Sequence, residues 1–489
     1  MNNFHEQAMS FVYQQMLNRL LGFFSRSERI ALQLLIQRLL VAAGGIDRIG
    51  HYRVMVVHEG GQESAYSLAF LRAAQLSIAA RAPHTFELRM AVLCQPRVTL
   101  GLMACIQAQC AELFMYEDRR VELLLVDESG VQQLRKPDAF ERPVVRADRV
   151  PVLMTGHLSQ GDARATFCYG DLLARARLFS HACGWGGEVN ALIDRRPPTH
   201  LAQYMAWIQR VAWQRGHAQR AVVQECLATT LRLCSRLADD YEHGLRLIPP
   251  SRRVPEFEPV RELRVINVFD CLCGEVQVLH SQVLMFMQGM KPLQPLAIEE
   301  PQAAVVMVAA HLQGLRGEWQ HGVAYSAGIA AYLQHAMVDN QYNERFKGQL
   351  VKQLRAAFNT AKKTRKLRSV ATQYLEQVYG LSDEHLRCLV HSPFINQGRA
   401  LGVFLQQCYP EKRYLCDVYE QLLASRQPST TVDALWLESV SGLPLASLQA
   451  LYRMSMAQNR DGASVIALLR AHDPNTHSRY AIFERKAFD

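Results

Sequence analysis

No stretch of the 489-residue sequence approaches 18 uninterrupted apolar residues. The most apolar segments, Ala303–Leu312 and Val276–Met287, are too short to cross a bilayer as helices, so no transmembrane segment is expected. The first residues, Met-Asn-Asn-Phe-His-Glu, place no cationic segment ahead of an apolar one. That pattern predicts no secretory signal and a cytoplasmic location. Twelve cysteines are present, but the paired spacing that would give them a joint role is missing. Cys94, Cys105, Cys110, Cys168, Cys183, Cys226 and Cys234 sit mostly in apolar or helical-looking segments. The one close pair, Cys271 and Cys273, has no second pair nearby and His280 as its nearest imidazole. Zinc sites draw four ligands from two such pairs, so buried, reduced thiols are expected here and no metal. The fingerprint G-x-G-x-x-G and the Walker A lysine are also absent, and no cofactor is expected.

Acidic residues are missing from one long interval. No Asp or Glu lies between Glu344 and Glu376, while the interval holds Arg345, Lys347, Lys352, Arg355, Lys362, Lys363, Arg365, Lys366 and Arg368. These nine cations equal the formal net charge of +9, so the remainder of the chain is near neutral. On a helix, Leu350, Val351, Leu354, Phe358 and Ala361 form an apolar stripe with the basic residues spread around the rest. Lys362, Lys363, Arg365, Lys366 and Arg368 then cover more than one turn and repel one another. A polyanion relieves that repulsion, which makes nucleic acid or an acidic protein surface the expected partner. A solvated helix face is the plainer alternative.

Hydrophobic content of 49% with 20% charged residues describes a folded chain, and its length exceeds one ordinary core. Residues 1–48 read as helices, with Phe11, Met16, Leu20, Leu21, Phe23 and Phe24 at helical spacing and a second helix beginning at Ser27-Glu28. A different rhythm follows. Tyr52–His58, Phe86–Cys94 and Val121–Asp127 read as buried strands, with Val150–Thr155 as a fourth. Helices are expected between them, from about Ser64 to Ala80 and Thr99 to Tyr116. Strand and helix in alternation predict a parallel sheet, and residues 49–190 are read as a Rossmann-like or flavodoxin-like α/β domain.

Arg195-Arg196-Pro197-Pro198 breaks that pattern, opening a helix-rich middle region over 195–345 with a proline-rich linker near 249–255. Within it, Leu263–Phe269 could add a strand, and Gln302–Leu315 and Ala324–Met337 read as helices. Residues 346–489 are read as a helical domain with an internal repeat. Leu375, Glu376, Val378, Gly380, Leu381, Leu386 and Leu389 recur as Leu437, Glu438, Val440, Gly442, Leu443, Leu448 and Leu451, an offset of 62 throughout. Each copy reads as helix, Gly-Leu turn, helix, the outline of a helix-turn-helix. The second helices offer few groups for reading bases, chiefly Arg387, Gln449 and Arg453, so packing is their expected role.

Three constellations bear on chemistry. Arg316 and His321 stand five apart, a spacing that resembles the pair used by HEPN-type ribonucleases; the resemblance covers these two residues only. It implies a histidine assisting proton transfer and an arginine stabilising the phosphorane charge. Ala324-Tyr325-Ser326-Ala327-Gly328 outlines a nucleophile elbow but lacks a strand before it, so small residues packing two helices are expected instead. Glu59-Gly60-Gly61 follows the first strand, where α/β folds place ligand loops. In a parallel sheet it joins His58, Gln95, Asp127, Glu128 and Ser129 on one edge, a possible small-molecule pocket. No complete catalytic set emerges. The expectation is a bacterial, non-catalytic binding or assembly protein using Arg345–Arg368, with further protein subunits as possible partners. The alternatives are a ligand-regulated ribonuclease, metal-independent and acting through Arg316 and His321, and a protein-only scaffold.

Overall fold

The computed structural model describes residues 2–95, 98, 100–136, 148–218, 227–245, 263–272, 301–338, 359–425, 427–455 and 464–474. The proposed linker at 249–255 and residues Cys226, Cys273 and His280 lie outside the described residues, as do Arg345, Lys347, Lys352 and Arg355.

Two helices open the chain, α1 (Asn2–Phe23) and α2 (Arg26–Ala43). The second begins earlier than Ser27, because Ser25 and Glu28 form the reciprocal cap: the Ser25 hydroxyl accepts from the Glu28 N–H, and Glu28 accepts from the Ser25 N–H. Then come β1 (Arg53–Val57), α3 (Gln62–Ala79), β2 (Glu87–Leu93), α4 (Leu100–Glu112) and β3 (Val121–Asp127), each close to its expected place. A short strand, β4 (Gly130–Gln133), folds back on β3 as a hairpin.

Val150–Thr155 is not a strand. It lies inside α5 (Arg149–Leu158), whose N-cap Asp148 accepts from the Val150 N–H. A short apolar run has no periodicity to separate strand from buried helix, and Leu153 to Leu158 are all buried. Pro151 falls in the first helical turn, where amide hydrogens have no intrahelical partner and proline is tolerated. The next parallel strand is instead β5 (Ala191–Asp194), preceded by α6 (Gly170–Gly184). Arg195–Pro198 is therefore a tight strand-to-helix turn, with Pro198 opening α7 (Pro198–Gln214). After α8 (Leu227–Gly244), β6 (Arg264–Asn267) completes the sheet within the expected Leu263–Phe269, and a single turn, α9 (Phe269–Leu272), follows it.

The sheet is six-stranded in the order β4-β3-β2-β1-β5-β6, parallel throughout except for β4. Alternate residues feed two cores. Val54, Val56, Leu88, Met90, Leu123 and Leu125 face α1 to α4. Met55, Ala91, Leu93, Leu124 and Val126 face the opposite layer, in a core continuous with the later helices.

Those later helices are α10 (Pro301–His321), α11 (Tyr325–Val338), α12 (Ala361–Tyr379), α13 (Asp383–His391), α14 (Leu401–Cys408), α15 (Cys416–Ala424), α16 (Val432–Ser441), α17 (Leu445–Tyr452) and α18 (Val465–His472). The Ser326 segment starts α11 and follows a helix. Gly328 touches α10 so closely that a Cβ would stand 2.4 Å from the Gln313 carbonyl oxygen, so small residues at this crossing serve packing. Gly380 and Gly442 end α12 and α16 in the left-handed region, at φ of 65° and 71°. Leu381 and Leu443 are buried immediately after them. The two helix, Gly-Leu, helix segments thus share a C-cap chemistry that glycine supplies at little steric cost. Helix α18 is tied back to the first half of the chain. Trp207 donates to the Leu469 carbonyl, and Asp473 accepts from Arg164 and Tyr169.

Two fully buried arginines join these layers. Arg72 of α3 donates to the Leu113 and Phe114 carbonyls beyond α4 and pairs with Asp118 at 2.8 Å. Arg89 of β2 donates to the Ala182, Cys183 and Gly187 carbonyls at the end of α6 and pairs with Glu122 at 2.7 Å. Both side chains are 0% exposed. Arg89→Ala should lower unfolding free energy by about 3–5 kcal/mol in urea titrations, since it strands buried acceptors. Arg38→Ala, which breaks the half-exposed pair with Asp270, should cost less than about 1 kcal/mol.

Candidate functional site

Strand order places the candidate cleft. The chain passes from β1 to β2 and β3 on one side, then returns to lay β5 and β6 on the other. Connections leaving the carboxyl ends of β1 and β5 diverge there, and beside that point the ends of β1 and β2 border a small cleft. The cleft is lined by Val57, His58, Glu59, Leu93, Gln95, Val98, Leu102 and Arg175, with about 340 Å³ of open space including its mouth.

The β1–α3 turn shapes one wall. Gly60 has φ +82°, and a Cβ there would stand 2.2 Å from Leu102, so no other residue fits without movement. The Gly60 N–H donates to His58 Nδ1 at 2.9 Å, which makes Nδ1 the acceptor and leaves the imidazole proton on Nε2. His58 is buried. Burial and the nearby Arg195 lower its pKa to about 3, against the opposing pull of Gln109 and Glu59. Gly61 is the N-cap of α3 and provides no side-chain cap.

Glu59 is the centre of charge. Its carboxylate is bound by Arg175 from α6 and by Arg195 from the turn after β5. Burial acts to raise its pKa, but the two guanidiniums outweigh it and hold the group well below the usual carboxylate range. Beside it, Asp194 accepts from Arg196 at 2.9 Å, and Gln95 donates to the Asp171 carbonyl at 2.7 Å. Of the residues expected at this edge, His58, Glu59, Gly60, Gly61 and Gln95 come together. Asp127 lies two strands away, accepting from the Ser129 N–H and hydroxyl in the β3–β4 turn that also contains Glu128. Arg175 and Arg195 were not singled out by spacing. The available signal is Arg195-Arg196 just after Ala191-Leu192-Ile193 and Asp194, an apolar run too short to stand out as a strand.

The basic segment divides. Lys362, Lys363, Arg365 and Lys366 are exposed on the first turns of α12. Arg368 instead pairs with Glu318 at 2.9 Å and lies over the Tyr325 ring at 4.9 Å. Arg316 donates to the Gln160 carbonyl, and His321, exposed at the end of α10, has its pKa lowered by burial and by Arg316. Cys408 and His391 stand 3.5 Å apart, but burial raises the thiol and lowers the imidazole to about 4, so both are neutral at pH 7. Among the described residues no group of three or more His, Cys, Asp or Glu is placed to hold a metal. None of their helices is long and apolar enough to cross a membrane.

No family model, no curated protein and no solved structure matches this chain. What the geometry defines is a mixed α/β and helical protein with an arginine-bound carboxylate in a cleft at the carboxyl edge of its sheet.

His58, His157 and His311 share one electrostatic consequence. Burial leads the causes that lower each to about 3. Unfolded histidines protonate near pH 6.5, so below that value the unfolded state binds more protons than the folded one. Stability should therefore fall as pH drops from 6.5 towards 3, by on the order of 2 kcal/mol per histidine by pH 5. Urea midpoints at pH 7.5 and pH 5 measure it. His157 has neither ring nitrogen paired among the described residues and packs 5.5 Å from Phe394. His157→Phe should flatten part of the pH dependence.

Proposed function

We propose that this chain is a binding protein without catalysis of its own, holding nucleic acid through the cationic start of α12. The observation that carries the reading is the exposure of Lys362, Lys363, Arg365 and Lys366 on the first turns of a helix with no acidic residue in its first turn. Three costs coincide there. The positive end of the helix dipole lies among the cations. Lys362 and Arg365, and Lys363 and Lys366, repel at i,i+3; Lys362 and Lys366 repel at i,i+4. Phosphates arrayed along a backbone relieve all three.

Nucleic acid fits this surface better than an acidic protein does. Residues 361–366 are Ala-Lys-Lys-Thr-Arg-Lys, with no aromatic or large apolar anchor of the kind that dominates protein interfaces. Phosphate recognition needs only charge. The strand order supports a Rossmann-like reading of the α/β part, and the two segments ended by Gly380 and Gly442 support a duplicated helical unit behind the basic helix. The free thiols of all ten described cysteines suit a reducing, cytoplasmic setting.

The test is binding of the full chain to labelled single- and double-stranded DNA and RNA across a salt series. Affinity should fall steeply with salt. Changing Lys362, Lys363, Arg365 and Lys366 together to Gln should reduce the logarithmic salt slope by roughly one for each side chain that touches a phosphate. Absence of binding at low salt, or wild-type binding by the quadruple variant, overturns the reading. RNA cleavage abolished by Arg316→Ala or His321→Ala would make the chain an enzyme, and loss of an acidic protein partner would redirect the same surface to protein.

A further inference from the structure

We propose that helix α2 carries a second seam on its outer side, by which two copies of this chain pair antiparallel about a two-fold axis. The inference stands apart from the nucleic-acid reading of α12, on different residues.

Two stripes run along α2. Leu32, Leu35, Ile36 and Leu39 are buried in the core shared with the sheet. On the other side Ile30, Leu34 and Val41 are 66%, 45% and 77% exposed, and Gln37 is exposed between the last two. Exposed apolar residues scattered singly are ordinary. These are not scattered. Positions 30, 34, 37 and 41 are spaced four, three and four, as successive d and a positions of a coiled coil are. In that register the buried set falls at b, c and f, on the far side of the helix. One stripe is covered within the chain, and the other lies open among the described residues.

Charge decides what fits the open stripe. None of its four positions is charged, and neither is Gln33 beside them. Arg38, at its flank, is held inside the chain by Asp270 and the Asn267 carbonyl. A charged peptide or a polyanion finds no complement here, whereas a second uncharged seam does. The seam also matches itself. Turned antiparallel about the point between Leu35 and Ile36, Ile30 lies against the partner's Val41 and Leu34 against the partner's Gln37, so a d position meets an a position in every layer.

The helix ends choose the direction. At the amino end, Arg26 and Arg29 are exposed against the single, half-buried Glu28, and the helix dipole adds to their charge. At the carboxyl end, Asp47 and Arg48 balance each other, and the dipole is negative. A parallel pair brings two cationic ends together. An antiparallel pair sets each beside a carboxyl end. The helix is also fixed in place before any partner arrives, because Arg38 ties it to Asp270 and Arg264 donates to the Ala42 carbonyl.

Size sets the strength. From Ile30 to Val41 the seam is about 16 Å long. It has four layers, and the two middle ones set a leucine against an amide. That is short of the roughly 800 Å² per partner of a standard interface, so the dimer is weak, with Kd on the order of tens of micromolar.

The test is sedimentation equilibrium of the full chain, freed of nucleic acid so that no polyanion bridges two copies. Wild type should pass from monomer to dimer between about 1 and 200 μM. Leu34→Glu puts a carboxylate into both middle layers and should weaken pairing at least tenfold, while Gln37→Leu makes those layers apolar and should tighten it about tenfold. Ile30→Lys and Val41→Glu should each weaken pairing. The double variant, in which each introduced lysine faces an introduced glutamate, should pair more tightly than either. All four positions are exposed, and circular dichroism checks that each variant folds. If Leu34→Glu does not fold, Gln37→Leu and the double variant still decide. The proposal is overturned if wild type and Gln37→Leu both stay monomeric over the whole range, as they would with another segment of the chain covering the seam. A dimer that Leu34→Glu leaves unchanged overturns it too. A double variant no tighter than the single ones overturns the antiparallel arrangement.

Discussion

Arg72 and Arg89, two arginines with no solvent contact, hold the layers of the α/β part against each other. One works on each face of the sheet. Arg72 reaches from α3 to the carbonyls left open beyond α4, and Arg89 reaches from the centre of β2 to those at the end of α6. A helix that ends against a sheet leaves its last carbonyls away from water, where an unmet acceptor is costly. Burying a guanidinium is costly too. The cost is offset here because each fork meets several carbonyls and one carboxylate at once, Asp118 for Arg72 and Glu122 for Arg89. The helix ends therefore cannot shift without unpairing a buried charge, and the carboxyl edge of the sheet inherits that rigidity.

The cleft depends on the same frame. Glu59 follows β1, Arg195 follows β5 and Arg175 projects from α6, whose far end Arg89 caps. Three elements distant in sequence thus meet at one carboxylate. The cationic helix start is built differently, from four residues adjacent in the chain on one exposed turn. A site of the first kind is preorganised by packing, while a surface of the second kind is set by one helix alone.

The α/β layout was readable wherever an element carried its own pattern. Val121–Asp127 stands out because a run of apolar β-formers is bounded by turn residues on both sides, and it forms a strand over those residues. Val150–Thr155 shows the same apolarity but becomes helix α5, since Asp148 caps it and the run from Leu153 to Leu158 is buried on all sides, so no period reveals it. Strand β5 is four residues long, too short for any pattern, and its place is given by pairing with β1 and β6. Half of the pocket was visible for the same reason: His58 to Gly61 follow a clear strand, whereas Arg195 follows an obscure one and Arg175 lies within a helix.

By itself the sequence determined the local chemistry: the Ser25–Glu28 cap, the glycine C-caps at Gly380 and Gly442, the buried strands, and the concentration of charge before Glu376. Each is set by residues within a few positions of one another, where covalent geometry and short-range hydrogen bonding suffice. Tertiary structure alone decided which charges are used internally. Arg368 is spent on Glu318 and Tyr325 while Lys362, Lys363, Arg365 and Lys366 stay exposed, and Glu59 is shared by two arginines 20 residues apart. Charge is legible in a sequence, but its partner depends on strand order and helix packing, which bring together residues that no local period connects.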